Sequence, residues 1–210
     1  GNDLDTTPLN DYVITNELNF DNKTKDFAFN LFTIRVFFEW YEGKNELMKE
    51  LGVKRIVLAR ETPIELIKQI KENVNIEIEV FVHGALCVSY SGNCLMSGLI
   101  GYRSGNRGRC VGSCRKKYKL IDKTNDTIIS DNYILSTKDL NTIDYIKDLK
   151  EIDSLKIEGR MKEPSYVANV VSKYRKALDS SIDYKDKEDL LKTFNRTYTK
   201  GYLFKEDKKD

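Results

Sequence analysis

The sequence predicts an α/β protein in which short strands alternate with amphipathic helices. Two stretches support this prediction. KRIVLAR, residues 54–60, is an apolar run of strand length, and the helix-start signal Thr62-Pro63-Ile64-Glu65 follows it. SLKIEGR, residues 154–160, precedes a segment whose apolar positions share one helical face: Val167, Val170, Val171, Tyr174 and Leu178. Repeated strand-then-helix order indicates a parallel sheet covered by helices, as an open doubly wound sheet or a closed barrel.

The remaining segments add further strands and one helix. NIEIEVFVH, residues 75–83, alternates between isoleucine or valine and other side chains, which predicts a strand with two different faces. YKLIDK (118–123) and YILS (133–136) predict short strands, and residues 139–149 predict a helix. With YVIT and TIRVFFEW near the start, we count about six strands, against the eight of a full (β/α)₈ barrel. The sequence therefore predicts an incomplete barrel or a fragment.

Length and composition indicate an ordinary globular chain. Its 210 residues are 40% hydrophobic and 32% charged, without a repeat or a linker, so we expect a single domain over residues 1–210. No apolar run approaches the roughly 20 residues that span a bilayer. The opening GNDLDTTPLN has no secretory pattern, so we expect a cytoplasmic protein without a membrane segment. In a reducing compartment, clustered cysteines indicate a metal site or catalysis, with buried free thiols as the alternative.

All four cysteines lie in one loop, which we place at residues 84–118. Their spacing is C-x6-C-x15-C-x3-C, and four thiolates from one loop can hold zinc or an iron–sulfur cluster. Structural zinc sites usually pair short C-x2-4-C knuckles, and only Cys110 and Cys114 approach that pattern. The long first gap favours a cluster, while zinc and unligated thiols stay open.

The same loop is strongly basic, although the net charge of the chain is only +2. No Asp or Glu occurs from residue 84 to residue 121. This stretch is therefore a candidate anion-facing surface, with a solvated basic loop as the alternative. Its basic residues are Arg103, Arg107, Arg109, Arg115, Lys116, Lys117 and Lys119.

Several polar residues lie on or at the ends of predicted strands. The only histidine, His83, follows the strand alternation onto the face of Glu79, which points inward in a barrel. A catalytic role competes with a packing role. Three more charged residues share one face of the strand at 154–160, and Arg60 ends another strand. These charges either bind an anionic substrate or pair with one another. The three are Lys156, Glu158 and Arg160.

Five blocks in fixed order resemble the family called collagenase-like protease, or peptidase family U32. They are RIVLARE, EVFVHGALCVSYSGNCLMS, NRGRCVGSCRKKY, STKDL and SLKIEGRMKEPSYVANVVSKYRKALD, covering about residues 53–179. TFNRTYTKGYL, residues 193–203, is similar to a downstream segment of the family. The resemblance implies a TIM-barrel-like fold and a 4Fe-4S cluster. Its ligands would be Cys87, Cys94, Cys110 and Cys114.

The resemblance also implies a function. Members are similar in acting in prephenate-linked hydroxylation, which here implies RNA as partner, with tRNA uridine first and rRNA cytidine second; ubiquinone is a further family substrate. We expect an enzyme with prephenate as co-substrate. From strand position, the candidate catalytic residues are His83, Glu79, Glu158 and Arg160. From charge, the candidate RNA contacts are Arg60, Arg103, Arg107, Arg109, Arg115, Lys116 and Lys156.

Two other functions stay open. A collagenase-like peptidase would lack HExxH and would have to use the one histidine with a serine or with a cysteine taken from the set of four. A metal-stabilised RNA-binding remnant without chemistry is the third candidate.

The chain departs from the family pattern at its start. Nothing before Asp11 resembles the opening segment of the family, and IRVFFEW, residues 34–40, stands where members carry a polar Ser-Thr-Gln block. We therefore expect a barrel truncated at the N-terminus, with a partner chain as a source of missing elements. Residues 181–210 are expected to begin a C-terminal extension.

Overall fold

The computed structural model describes residues 33–36, 52–159 and 162–204, with the backbone alone at 33–36 and 106–107. The chain divides into two compact units. The second unit is Leu86–Thr137, and the first consists of the chain on either side of it. The single domain predicted for residues 1–210 and the extension predicted at 181–210 stay predictions.

The first unit is built on a mixed sheet. Its strands are β1 (Thr33–Val36), β2 (Arg55–Leu58), β3 (Glu77–Ala85), β6 (Asp139–Asn141), β7 (Ser154–Glu158) and β8 (Tyr198–Thr199). Strands β1, β2 and β3 are parallel neighbours, and β7 pairs in parallel with β3. Strand β6 runs antiparallel to β3 and parallel to β8. The predicted α/β class is confirmed. Within the described residues the sheet does not close into a barrel, so the barrel stays a prediction.

Among the described residues of this unit, three form α-helices: α1 (Ile64–Asn73), α3 (Pro164–Asp179) and α4 (Tyr184–Lys192). Two of the three predicted helices, α1 and α3, are confirmed, although Pro63 takes the N-cap position of α1 and no side chain caps that helix. The buried stripe of α3 is rotated from the predicted valine-rich face, since Val167 and Val171 are 36% and 46% exposed. Val170 and Tyr174 of the predicted face are buried, and Tyr166 and Ala177 are buried in addition.

The core of the first unit lies between this sheet and its helices. Ile78, Val80 and Val82 on β3 alternate into it, as the sequence pattern predicts, and Ile67 of α1 and Val170 of α3 are at most 1% exposed. Each such side chain contributes about 1.5–3 kcal/mol through burial. This apolar core fixes the strands that carry the polar residues of the candidate site.

The second unit has a different interior. It contains α2 (Met96–Gly101), a π-helical turn (Gly105–Arg109), a 3₁₀ turn (Ser113–Arg115) and a hairpin of β4 (Tyr118–Asp122) and β5 (Thr127–Asn132). Among its described side chains only Ser91, Ser97 and Ser113 are buried, and no apolar side chain is. A unit of about 50 residues without an apolar core needs another source of stability.

Two predicted elements were wrong. YILS, predicted as a strand, is a turn in which Ser136 N–H donates to Tyr133 O at 2.9 Å, and the strand lies earlier, in β5. Residues 139–149, predicted as a helix, form β6 followed by a 3₁₀ helix, Ile143–Leu149. Pairing of β6 with β3 and β8 overrides the local helical pattern. No helix in the described ranges is long and apolar enough to span a bilayer.

Candidate functional site

The four cysteines come together in the second unit. All are free thiols, half-buried at Cys87, Cys94 and Cys114 and exposed at Cys110. Burial raises the pKa of the Cys114 thiol, and negative charge on the other three cysteines raises it further, against the lowering effect of Arg115. Each cysteine therefore lies within electrostatic range of Cys114, as expected for one shared site.

Glycine and serine residues lie beside the cysteines. A Cβ placed on Gly105 would lie 3.8 Å from Cys110 Cβ, 3.9 Å from Ser97 Oγ and 4.0 Å from Cys94 O. The Ser97 hydroxyl and the Gly112 N–H donate to Cys110 Sγ at 3.6 and 3.3 Å. The buried Ser113 hydroxyl, beside Cys114, has no hydrogen-bond partner within the described residues. Donors aimed at sulfur stabilise thiolates and the clusters they hold.

The donor set fits an iron–sulfur cluster. Four thiols, N–H and O–H donors and a surrounding sequence without carboxylates suit an anionic cluster. Within the residues that the structure describes, no three or more His, Cys, Asp or Glu side chains are gathered so that they could hold a metal ion.

The basic residues of the second unit separate into two kinds. Arg103, Arg109, Lys116, Lys117 and Lys119 are exposed. Arg115 is half-buried, and its guanidinium donates to Ser136 Oγ at 2.9 Å, to Thr137 O at 2.6 Å and to Leu86 O. Arg115 therefore connects the first and last residues of the unit. The side chain of Arg107 lies outside the described residues.

His83 is buried in the first unit among aromatic rings. It is 1% exposed, and its ring centroid lies 5.4 Å from those of Tyr174 and Tyr198 and 6.1 Å from that of Tyr166. His83 Nδ1 lies 3.3 Å from the Tyr174 hydroxyl. Nε2 is buried and has no hydrogen-bond partner among the described residues. Burial lowers the pKa of His83 to about 4, against the raising effect of Asp139 and Asn141, so the ring is neutral at pH 7.

Tyr174 and Asp139 organise the surroundings of this ring. The Tyr174 hydroxyl donates to Val82 O at 2.9 Å and accepts from the Thr142 N–H at 3.1 Å. Asp139, predicted only as part of a helix, is buried and accepts from the Arg196 guanidinium at 3.0 Å. Chain segments more than 100 residues apart thus meet at the one histidine, a convergence that no local pattern indicates.

The remaining predicted site residues are either paired by a hydrogen bond or lie at or near a strand end. Glu79 is 7% exposed and accepts from Lys156 at 2.6 Å and Ser154 at 2.7 Å, so two predicted site residues bind each other. Glu158 and Arg60 are half-buried, at the end of β7 and just after β2. Arg160 lies outside the described residues. The pairing of the strands that carry Glu79 and Lys156 was not predicted, and the structure shows it as the parallel contact of β3 with β7.

A pocket of about 750 Å³, which we call the Phe194 pocket, was missed at the sequence level. It opens in the first unit where α3 begins and α4 ends. The segment TFNRTYTKGYL, quoted above only for its resemblance, supplies part of its wall and was the available signal. Lining residues include Lys162, Tyr166, Asn169, Lys192, Phe194 and Arg196.

Comparison with known proteins finds relatives of this chain by sequence. An uncharacterized protease of Methanocaldococcus jannaschii is 42% identical, over 75% of this chain and 43% of its own length. The tRNA hydroxylation protein P1 of Bacillus subtilis is 48% identical over 64% of this chain and 34% of its own, and the 23S rRNA 5-hydroxycytidine C2501 synthase of Escherichia coli is 39% identical over 67% and 22%. The chain thus spans less than half the length of these relatives. No solved structure matches it.

The family comparison covers most of the chain. The sequence model of the family described as Peptidase family U32 matches residues 42–210. This range includes all four cysteines, His83 and the Phe194 pocket. The predicted resemblance is therefore confirmed, and the chain belongs to peptidase family U32.

Proposed function

We propose that this chain binds a 4Fe-4S cluster and acts in the hydroxylation of an RNA base, with tRNA uridine as the first candidate and rRNA as the second. One observation carries the proposal: the second unit has four free thiols and no buried apolar side chain among those described. A bound cluster would supply the missing interior as well as redox chemistry. The relatives named for tRNA and rRNA hydroxylation support an RNA substrate.

Residues of this chain would have separate tasks. Cys87, Cys94, Cys110 and Cys114 would be the cluster ligands, and Ser97 and Gly112 would donate to sulfur. The exposed cations of the second unit would attract the RNA backbone. Hydroxylation replaces a C–H bond with C–OH and removes two electrons from the base, so it needs both an oxygen source and a two-electron acceptor. Prephenate is the proposed co-substrate.

The proposed barrel needs more strands than the described residues supply. Since the chain spans less than half the length of its relatives, a complete (β/α) barrel would need further strands from the same protein or from a partner chain. The predicted cytoplasmic location agrees with an RNA substrate.

A peptidase is the second candidate, supported by the name of the Methanocaldococcus relative. Its nucleophile would need a base within hydrogen-bonding distance. His83 Nδ1 lies 3.3 Å from the Tyr174 hydroxyl, and the histidine is 1% exposed. A serine or cysteine activated by His83 is therefore less well supported than RNA chemistry.

The deciding experiment is an absorption spectrum with iron and sulfide assays on protein purified without oxygen. We expect a broad brown band at about 400 nm that Cys87→Ala loses. Val88→Ala, the exposed neighbour, serves as the control and should keep the band. Stoichiometric zinc without colour would overturn the cluster. Metal-free protein with an intact fold would favour the peptidase or a remnant.

A tRNA assay then separates the enzyme from a non-catalytic RNA-binding remnant. The cluster-loaded chain is incubated with unmodified tRNA and prephenate, and 5-hydroxyuridine is measured by mass spectrometry. Product formation that depends on Cys87 supports the enzyme. RNA binding without product supports the remnant.

A further inference from the structure

The Phe194 pocket is built from separate parts of the first unit. The loop before α3 contributes Lys162, the first turns of α3 contribute Tyr166, and α4 with the segment after it contributes Lys192, Phe194 and Arg196. Its volume of about 750 Å³ lies within the range of small-molecule sites. The RNA-binding role proposed above for the second unit uses none of these residues.

An exposed aromatic ring lies among cations in this pocket. Phe194 is 58% exposed, although it follows a helix end and could have turned inward. The Lys162 ammonium lies 3.5 Å from the Phe194 ring centroid, and the Arg196 guanidinium carbon lies 5.0 Å from it. These contacts hold the ring while more than half of its surface stays open to a ligand.

The charge of the pocket favours an anion. Lys162, Lys192 and Arg196 face two lining carboxylates, Glu163 and Asp189. Asp189 pairs with Lys173 at 3.1 Å and with Lys192 at 3.5 Å, and Arg196 pairs with Asp139 at 3.0 Å. The lining cations still outnumber the lining carboxylates by three to two. Helix α3 begins at the pocket with Glu163 as its N-cap, and the positive end of its dipole lies there.

The inner wall connects the pocket with the histidine. Tyr166 lines the pocket and is 6% exposed, and its ring centroid lies 6.1 Å from that of His83. A ligand in the pocket would therefore lie one aromatic ring away from the only imidazole of the chain.

We propose that the Phe194 pocket binds a nucleotide, with the base against Phe194 and the phosphate near Lys162, Lys192 and Arg196. An open aromatic face suits any base, and cations beside it suit a phosphate. This inference rests on the proposed function in that an RNA substrate would supply the nucleotide. A free nucleotide has the same chemistry and is the other source.

The test uses the 210-residue chain in equilibrium titrations with uridine 5′-monophosphate, uridine and inorganic phosphate. We expect the monophosphate to bind more tightly than uridine or phosphate alone. Phe194→Leu should weaken the monophosphate at least about fivefold and leave phosphate unchanged, because stacking is lost and the cations stay. Lys192→Gln should weaken both phosphate-bearing ligands.

Lys185→Gln is the matched control, since Lys185 is exposed on the same helix and does not line the pocket. It should change no affinity. Circular dichroism checks that each variant is folded, which is expected because Phe194 and Lys192 are exposed. Equal affinity of folded Phe194→Leu and wild type for the monophosphate would overturn the proposal, as would binding no tighter than that of phosphate.

An RNA stem-loop titrated in parallel identifies the source of the nucleotide. Loss of RNA affinity in Phe194→Leu places a nucleotide of the strand in the pocket. RNA affinity that is insensitive to Phe194 beside sensitive monophosphate binding places a free nucleotide there, and insensitivity of both overturns the pocket. If hydroxylation fails while nucleotide binding is intact, only the proposed function is contradicted.

Discussion

At the scale of single residues, His83 is held uncharged by its surroundings. Burial lowers its pKa to about 4, while Asp139 and Asn141 act in the raising direction. The chain has one histidine, so its imidazole proton gives one resonance in an NMR titration. We expect the midpoint of that titration near pH 4. A midpoint near 6.5 would contradict the buried position of the ring.

The same shift predicts a pH dependence of stability. The folded pKa is lower than the unfolded value of about 6.5, so the unfolded chain binds the extra proton first. The contribution of His83 is complete above pH 6.5 and is lost as the pH falls through about 4. The loss amounts to about 3 kcal/mol of unfolding free energy. Urea unfolding of His83→Gln, followed over the same pH range, should lack this component.

Gly84 is a second residue on which the fold depends. Its φ is +110°, and a Cβ there would lie 2.4 Å from Glu158 O on the paired strand β7. Gly84→Ala should therefore cost about 3 kcal/mol or more, through backbone strain and steric overlap together. Gly52 has φ +70° with no atom within 4 Å of such a Cβ, so Gly52→Ala should cost only about 1 kcal/mol. Equal losses in chemical denaturation would remove the steric argument.

At the scale of elements, a buried carboxylate connects β3 with β7. Burial alone would raise the pKa of Glu79, but hydrogen bonds from Lys156 and Ser154 lower it below its usual range. The ionised pair therefore stabilises the folded chain above about pH 4.5 and is lost at lower pH. Glu79→Gln should cost about 1–3 kcal/mol at pH 7, as measured by urea unfolding.

Glu77→Gln is the control for this pair. Glu77 lies on the same strand and pairs with Arg55 at 2.8 Å, but its side chain is 52% exposed. Exposed pairs contribute less than about 1 kcal/mol. A loss at Glu79 no greater than that at Glu77 would show that the β3–β7 pair adds nothing beyond a surface contact.

Arg115 connects the two ends of the second unit. It donates to Leu86 O and Thr137 O, so Arg115→Gln should increase hydrogen–deuterium exchange across residues 86–137. The exposed neighbour Lys116→Gln should leave that exchange unchanged. If Arg115 were instead an RNA contact, as its sequence position predicts, its loss would weaken RNA binding and leave exchange unaltered.

At the scale of the whole molecule, net positive charge is concentrated in the second unit, although the net charge of the chain is only +2. RNA affinity should therefore fall steeply with salt, by a slope of about 0.7 for each phosphate contacted by a cation. The triple variant Lys116→Gln, Lys117→Gln and Lys119→Gln should lower the slope by up to about 2 in filter-binding assays.

A second triple variant removes the same charge from the first unit. Lys68, Lys147 and Lys150 are exposed there, and their change to glutamine should leave the slope nearly unchanged. Equal reductions in both triple variants would mean that RNA responds to net charge alone, without a preferred surface.

Local patterns predicted the elements that depend on local interactions. The alternating β3 and the helix α3 were confirmed, because side-chain periodicity follows directly from backbone geometry. Strand β6 was mistaken for helix, since its three residues are held by β3, β8 and the contact of Asp139 with Arg196. On α3, Val170 and Tyr174 are buried as predicted, but Val167 and Val171 are exposed and Tyr166 packs near His83.

The sequence by itself determined the family, the α/β class and the set of four thiols in one loop. These properties reside in residue order and short spacings, which are present before the chain folds. Only the tertiary structure decided that Arg115 is internal, that Glu79 binds Lys156, that His83 is neutral and that Phe194 lines a pocket. The physical reason is that burial and charge pairing depend on residues that are distant in sequence and meet only in the folded chain.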